Sequence, residues 1–126
     1  MSNKTTSDKK LRQAKRLFLT LTIVFEFTLI VFDRSGVYLT GPFVDPWSFV
    51  HVFAGVLIGL YYFQWKAGLG LLILWEIIEP VIFLLGGILF FGSQAPDFPE
   101  VPTNQVTDVV LGFLGYLVAK WWKRKL

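Results

Sequence analysis

The sequence predicts an all-α protein, a polytopic transmembrane four-helix bundle with both termini cytoplasmic, and three observations lead there. Of its 126 residues, 54% are hydrophobic and only 17% charged, giving a mean hydropathy of +0.57, far above that of an ordinary soluble domain. Thirteen Phe, five Trp and four Tyr are more apolar surface than the core of so short a soluble chain can hide. The apolar residues fall in four runs parted by turn-forming or polar segments, which is the pattern of successive spans. In that four-span arrangement every Lys and Arg except Arg34 lies on one side, the asymmetry that marks a cytoplasmic face.

Residues 1–16 open with MSNKTTSDKK, polar and without an apolar stretch, so no cleavable signal peptide is expected and the basic segment reads as an unstructured cytoplasmic tail. A single transmembrane domain then covers 17–122. Span one runs from Leu17 to Phe32, interrupted by Thr residues and Glu26, and stops at the turn Asp33, Arg34, Ser35, Gly36. Span two runs from Trp47 to Trp65, with Trp47 and the group Tyr61, Tyr62, Trp65 placed as interfacial aromatics. Span three extends from Ala67 to about Phe91, and Pro80 within it predicts a kink. The segment GSQAPDFPEVPTNQ is too rich in Pro and polar residues to span anything. Val106 to Trp122 forms the last run, and 123–126 is a basic cytoplasmic end suited to anionic lipid.

The net charge of +3 does not indicate nucleic acid, because the basic residues crowd the two ends and leave no basic face. There is no cysteine, hence no disulfide, thiolate ligand or thiol nucleophile. Any metal must be held by His and oxygen ligands.

Five ionisable residues lie inside the expected spans: Glu26, His51, Glu76, Glu79 and Asp108. An Asp at a helix centre costs roughly 2.5–3.5 kcal/mol on insertion scales, so such groups should face one another. Counting at about 1.5 Å per residue from the cytoplasmic ends puts all five in a layer about 5 Å thick, from mid-bilayer outwards. Glu76 and Glu79 share a helix face, as do Asn104 and Asp108. His51, Gly55, Gly59 and Asn104, Asp108, Gly112 form two stripes of four-residue spacing that can pack together, bringing His51 to Asp108 in an outward-facing polar pocket.

Three chemistries suit that pocket. The groups can be protonated or paired as interhelical hydrogen-bond glue, with Glu26 pairing to Thr22 one turn away. They can hold Zn²⁺, Mn²⁺ or Fe²⁺ on His51, Glu76, Glu79 and Asp108, the metal activating water against a phosphoester or binding a lipid-linked phosphate. Without metal, Glu76, Glu79 and His51 can serve as general acid and base, or carry protons. The expected catalytic residues are therefore Glu76, Glu79 and His51, with Asn104, Gln105 and Glu26 binding substrate. The spacing GVLIG from Gly55 to Gly59 also suits a homodimer face.

The motifs HVFAGVLIG from His51, WEIIEP from Trp75 and PTNQVTDVVLGFLG ending at Gly115 together resemble the VanZ-like group of small bacterial membrane proteins, and its YjdF-like branch in particular. The resemblance covers about the last two thirds of the chain. It carries signature positions onto His51, Gly55, Glu76, Glu79, Asn104, Gln105, Asp108 and Gly112, while Pro80 stands where relatives often have Asn or Trp. It implies a multi-pass protein of a prokaryotic plasma membrane with a role at the cell envelope, where the group is associated with teicoplanin resistance. The function expected is binding or modification of a lipid or lipid-linked envelope component, with a proton-coupled carrier or a packing subunit of a membrane complex as the alternative.

Overall fold

Four helices make up the structure, a computed structural model that describes residues 2–34, 43–61, 64–91 and 102–125. They are α1 (Ser2–Arg34), α2 (Trp47–Leu60), α3 (Trp65–Phe91) and α4 (Pro102–Lys123), and no strand occurs among the described residues. The turn at 35–36, Tyr62, the GSQ segment and the acidic residues Asp97 and Glu100 lie outside them.

Each expected run holds a helix, with differences at the ends: α2 stops at Leu60, so that Trp65, expected to close span two, opens α3 instead, and α4 starts at Pro102, ahead of the expected Val106. The basic segment expected to be unstructured is helical from Ser2 onward, continuous with the apolar run. Its Lys, Arg, Gln, Leu and Ala residues are good helix formers, and Leu11 and Ala14 give it a packed face against Val56, Leu60 and Ala119. Trp47, expected at an interface, is only 4% exposed and packs with Leu29 and Val50. Tyr61 and Trp65 are exposed.

α2 and α4 form the central pair and run parallel, since His51, Gly55 and Gly59 of one meet Asp108, Gly112 and Tyr116–Ala119 of the other in the same order. A β-carbon on Gly55 would collide with the backbone carbonyl of Gly112, and one on Gly115 with that of Val52. Small residues at these two positions let the backbones touch. α1 flanks α2 antiparallel, through edge and tilted ring contacts of Phe18 and Phe25 with Phe49 and Phe53. α3 flanks the other side antiparallel, Gly68 lying on Tyr116 and Leu72 on Gly112. It passes through Pro80 without ending, although Pro80 has no N–H to return to the carbonyl of Glu76.

Charge is sorted along the central pair. At the C-terminal end of α2, the Lys123 ammonium donates to the carbonyl of Leu60 and Lys15 lies over the ring of Tyr61, cations against the negative end of the helix dipole. Acidic side chains gather at the opposite, N-terminal ends of α2 and α4, where the dipole favours anions.

No helix among the described residues is long and apolar enough to cross a membrane. α2, with 14 residues, is about 21 Å long against a hydrocarbon core of about 30 Å. The longer helices carry Glu26, Glu76, Glu79 or Asp108 within their apolar stretches.

A buried histidine ringed by carboxylates

The interior is unusually polar for so apolar a chain. Among the described residues, seven buried polar or charged residues stand beside nine buried hydrophobic ones, while Phe27, Ile77 and Val106 are each about two thirds exposed. Buried polar groups are for the most part hydrogen-bonded, and the frame of the site shows how this is arranged.

Its frame starts at the N-terminus of α2. Asp45, just before Pro46, accepts from the backbone N–H groups of Trp47 and Ser48 through Oδ1 at 2.9 and 3.2 Å, and its own N–H donates to Ser48 Oγ at 3.3 Å. This reciprocal arrangement satisfies donors that a helix start leaves open. The other carboxylate oxygen of Asp45 accepts from the amide of Asn104 at 3.0 Å, tying α2's cap to the first turn of α4. One turn further in, Ser48 Oγ donates to Asp108 Oδ1 at 2.5 Å.

At the next turn of α2 lies His51, 2% exposed. Its Nδ1 is 3.1 Å from Glu76 Oε1. Its Nε2 is 3.8 Å from Glu79 Oε2 and 3.6 Å from Asp108 Oδ2. Three helices thus converge on one imidazole. The three-residue spacing of Glu76 and Glu79 places both on the buried face of α3, and the glycine contact of α2 with α4 brings Asp108 to the other edge of the ring. His51, Glu76 and Glu79 each offer a ligand atom within 4.8 Å of the others, so this group is able to hold a metal ion.

Three neighbouring carboxylates in their ionised form, beside one neutral imidazole, would put three negative charges out of water, at a cost of several kcal/mol each after relaxation. Protons, an imidazolium or a cation must offset that charge. His51 Nε2, both oxygens of Glu76 and Asp108 Oδ2 are buried with no hydrogen-bond partner among the described residues.

Four of the expected site residues, His51, Glu76, Glu79 and Asp108, are therefore brought together, and Asn104 joins through Asp45. Two are not. Glu26 is half-buried on α1, within electrostatic reach of His51 but with no bond to it. Thr22 donates to the carbonyl of Phe18 and not to Glu26. Gln105 is partly exposed on α4 beside the site. The face from Gly55 to Gly59, suited also to a homodimer, is covered by α4 of the same chain.

Asp45 and Ser48 were not among the expected site residues. The spacing Asp-x-x-Ser ahead of an apolar run is a helix-start signature, and reading it at Asp45-Pro46-Trp47-Ser48 would have placed both at the mouth of α2.

At the basic end, a cleft of about 480 Å³ is lined by Trp65, Phe113, Tyr116, Lys120 and Arg124 among others. No family model, curated protein or solved structure matches the chain.

Proposed function

We propose that the protein is a multi-pass protein of a prokaryotic plasma membrane, with cytoplasmic termini, whose buried cluster holds a divalent cation and binds or modifies a lipid or lipid-linked envelope component. One observation carries this reading: His51, Glu76, Glu79 and Asp108 converge in the interior of a bundle whose outer faces are apolar. Intramembrane ionisable groups are costly and cluster where they serve a function. A Zn²⁺, Mn²⁺ or Fe²⁺ ion suits one imidazole with carboxylates and offsets their charge. Such an ion supplies Lewis acidity and lowers the pKa of bound water, the chemistry of phosphoester hydrolysis.

Supporting the membrane placement, the cations at the other end lie on aromatic faces, Lys66 on Trp65, Lys120 on Tyr116 and Lys125 on Trp121. The 480 Å³ cleft there, with Lys120 and Arg124 at an aromatic wall, suits the headgroup of an anionic phospholipid. Because α2 covers only about 21 Å, its capped start and the cluster fall below the outer membrane surface when Tyr61 sits at the inner one. The VanZ-like and YjdF-like resemblance of the motifs around His51, Glu76 and Asp108 agrees with an envelope role.

A proton-coupled carrier fits less well. Inward of the cluster the α2–α4 seam is closed by Gly55 on Gly112 and by Leu60 and Ala119, 0% and 1% exposed, so no polar path continues along that seam among the described residues. A structural network is the second reading, favoured by the Ser48–Asp108 and Asn104–Asp45 bonds.

Elemental mass spectrometry on detergent-purified protein, beside His51→Ala and Glu79→Ala with melting curves, separates the two. Near-stoichiometric metal, lost in variants that still fold, supports the cation site and directs attention to lipid phosphoester hydrolysis. Metal-free protein whose variants melt much earlier establishes the structural network instead. Retention in membranes after alkaline carbonate extraction is expected, and release overturns the membrane placement.

A further inference from the structure

Resting on the cation reading, the geometry points to one seat for the ion. We infer that it binds His51 Nε2 together with Glu79 and Asp108, and that Glu76 is a positioning residue that holds the Nδ1–H side of the ring and is not a ligand.

The two ring nitrogens face different partners. Nδ1 stands 3.1 Å from Glu76 Oε1, the shortest separation between the ring and any of its carboxylates. Nε2 stands 3.6 Å from Asp108 Oδ2 and 3.8 Å from Glu79 Oε2, too far for a hydrogen bond. Two ligand atoms each about 2.0–2.1 Å from a tetrahedral zinc are about 3.3 Å apart. The Nε2 side needs contractions of a few tenths of an ångström, and although the Nδ1–Glu76 separation also suits a shared ion, an ion there would leave Nε2 and Asp108 Oδ2, both buried without a hydrogen-bond partner among the described residues, still unserved.

Outer partners support the same assignment. A ligating histidine commonly donates its other N–H to a carboxylate, which fixes its tautomer, and ligating carboxylates are themselves hydrogen-bonded. Glu76, the carboxylate nearest Nδ1, is placed for the first role. Ser48 fills the second, because its hydroxyl occupies Asp108 Oδ1 and leaves Oδ2, fully buried and without a partner, facing Nε2. The competing set of His51, Glu76 and Glu79 leaves Asp108 Oδ2 buried with nothing to bind, an arrangement that buried polar groups avoid.

His51 is the only histidine in the chain, so protein labelled with ¹⁵N-histidine in detergent gives one pair of ring signals. On addition of Zn²⁺, the inferred seat requires the Nε2 signal to move while Nδ1 keeps its proton. Metal on Nδ1 with a protonated Nε2 overturns it. In Zn²⁺ titrations, Glu76→Gln should bind 10–100-fold more weakly, the usual effect of losing an outer partner, and Asp108→Asn should lose binding. The reverse ranking overturns the seat but leaves a cation site standing, and failure of the unaltered protein to bind Zn²⁺, Mn²⁺ or Fe²⁺ overturns the cation reading itself. If Asp108→Asn does not fold, the ring signals of the unaltered protein decide the matter.

Discussion

The backbone carbonyl of Gly112 occupies the space that a β-carbon on Gly55 would need. Replacing Gly55 by Ala forces α2 and α4 apart, and overpacking of this kind costs typically about 1–3 kcal/mol. Gly70 provides the contrast, with nothing within 4 Å of a β-carbon there. Gly70→Ala should leave stability unchanged or raise it by roughly 0.5–1 kcal/mol. Unfolding curves of both variants in one detergent check the pair, and equal behaviour contradicts the close packing.

The bond from Ser48 to Asp108 joins positions far apart in the chain and is fully buried. A double-mutant cycle with Ser48→Ala and Asp108→Ala should give a coupling of about 1.5–3 kcal/mol, as for a hydrogen bond to a charged group. Additive effects mean that the hydroxyl does not serve Asp108.

Asp45 caps α2 and anchors Asn104 at the same time. Asp45→Ala should lose about 1 kcal/mol for the cap and about 1–3 kcal/mol more for the Asn104 amide that loses its acceptor. Asp45→Asn keeps a capping oxygen and should fall between. Thermal melting of the three proteins gives the order, and indistinguishable melting temperatures rule out the double role.

At the basic end, burial lowers the pKa of Lys123 from 10.5 to about 8, with Lys120 and Lys15 adding repulsion. The folded protein releases this proton before the unfolded chain does, so the penalty is complete below about pH 8 and vanishes above 10.5. Lys123's contribution to stability should thus rise as pH climbs between those values. Lys123→Gln should flatten that segment of the stability–pH profile, and a variant with the slope of the unaltered protein assigns it to another group.

Periodicity alone located much of the candidate site. The three-residue spacing of Glu76 and Glu79 and the four-residue stripes through His51 and Asp108 fix helix faces, and the glycines fix which faces touch, so a helical wheel already holds the cluster. What it lacks is the direction of each ring atom, which depends on rotamers and on neighbours such as Ser48. A lone serine in an apolar run gives little signal until its partner is known. Glu26 illustrates the opposite error, since depth matched the cluster but α1 packs against α2 through Phe18 and Phe25, and no contact carries its carboxylate to the ring. Leu17 also looked like the natural start of α1, because hydropathy does not register that a basic segment is itself a good helix former.

The pairing of α2 with α4 also has a consequence for biosynthesis. Ser48 and Asp108 are separated by 60 positions, and contacts so distant in sequence form late because a long loop must close first. As the chain emerges, His51, Glu76 and Glu79 are made before the helix that supplies Asp108. A nascent chain paused before Pro102 therefore carries an imidazole and two carboxylates without their third wall, the kind of intermediate that quality-control proteases and chaperones recognise. Completion of the last helix is the step that converts a vulnerable half-bundle into the finished protein.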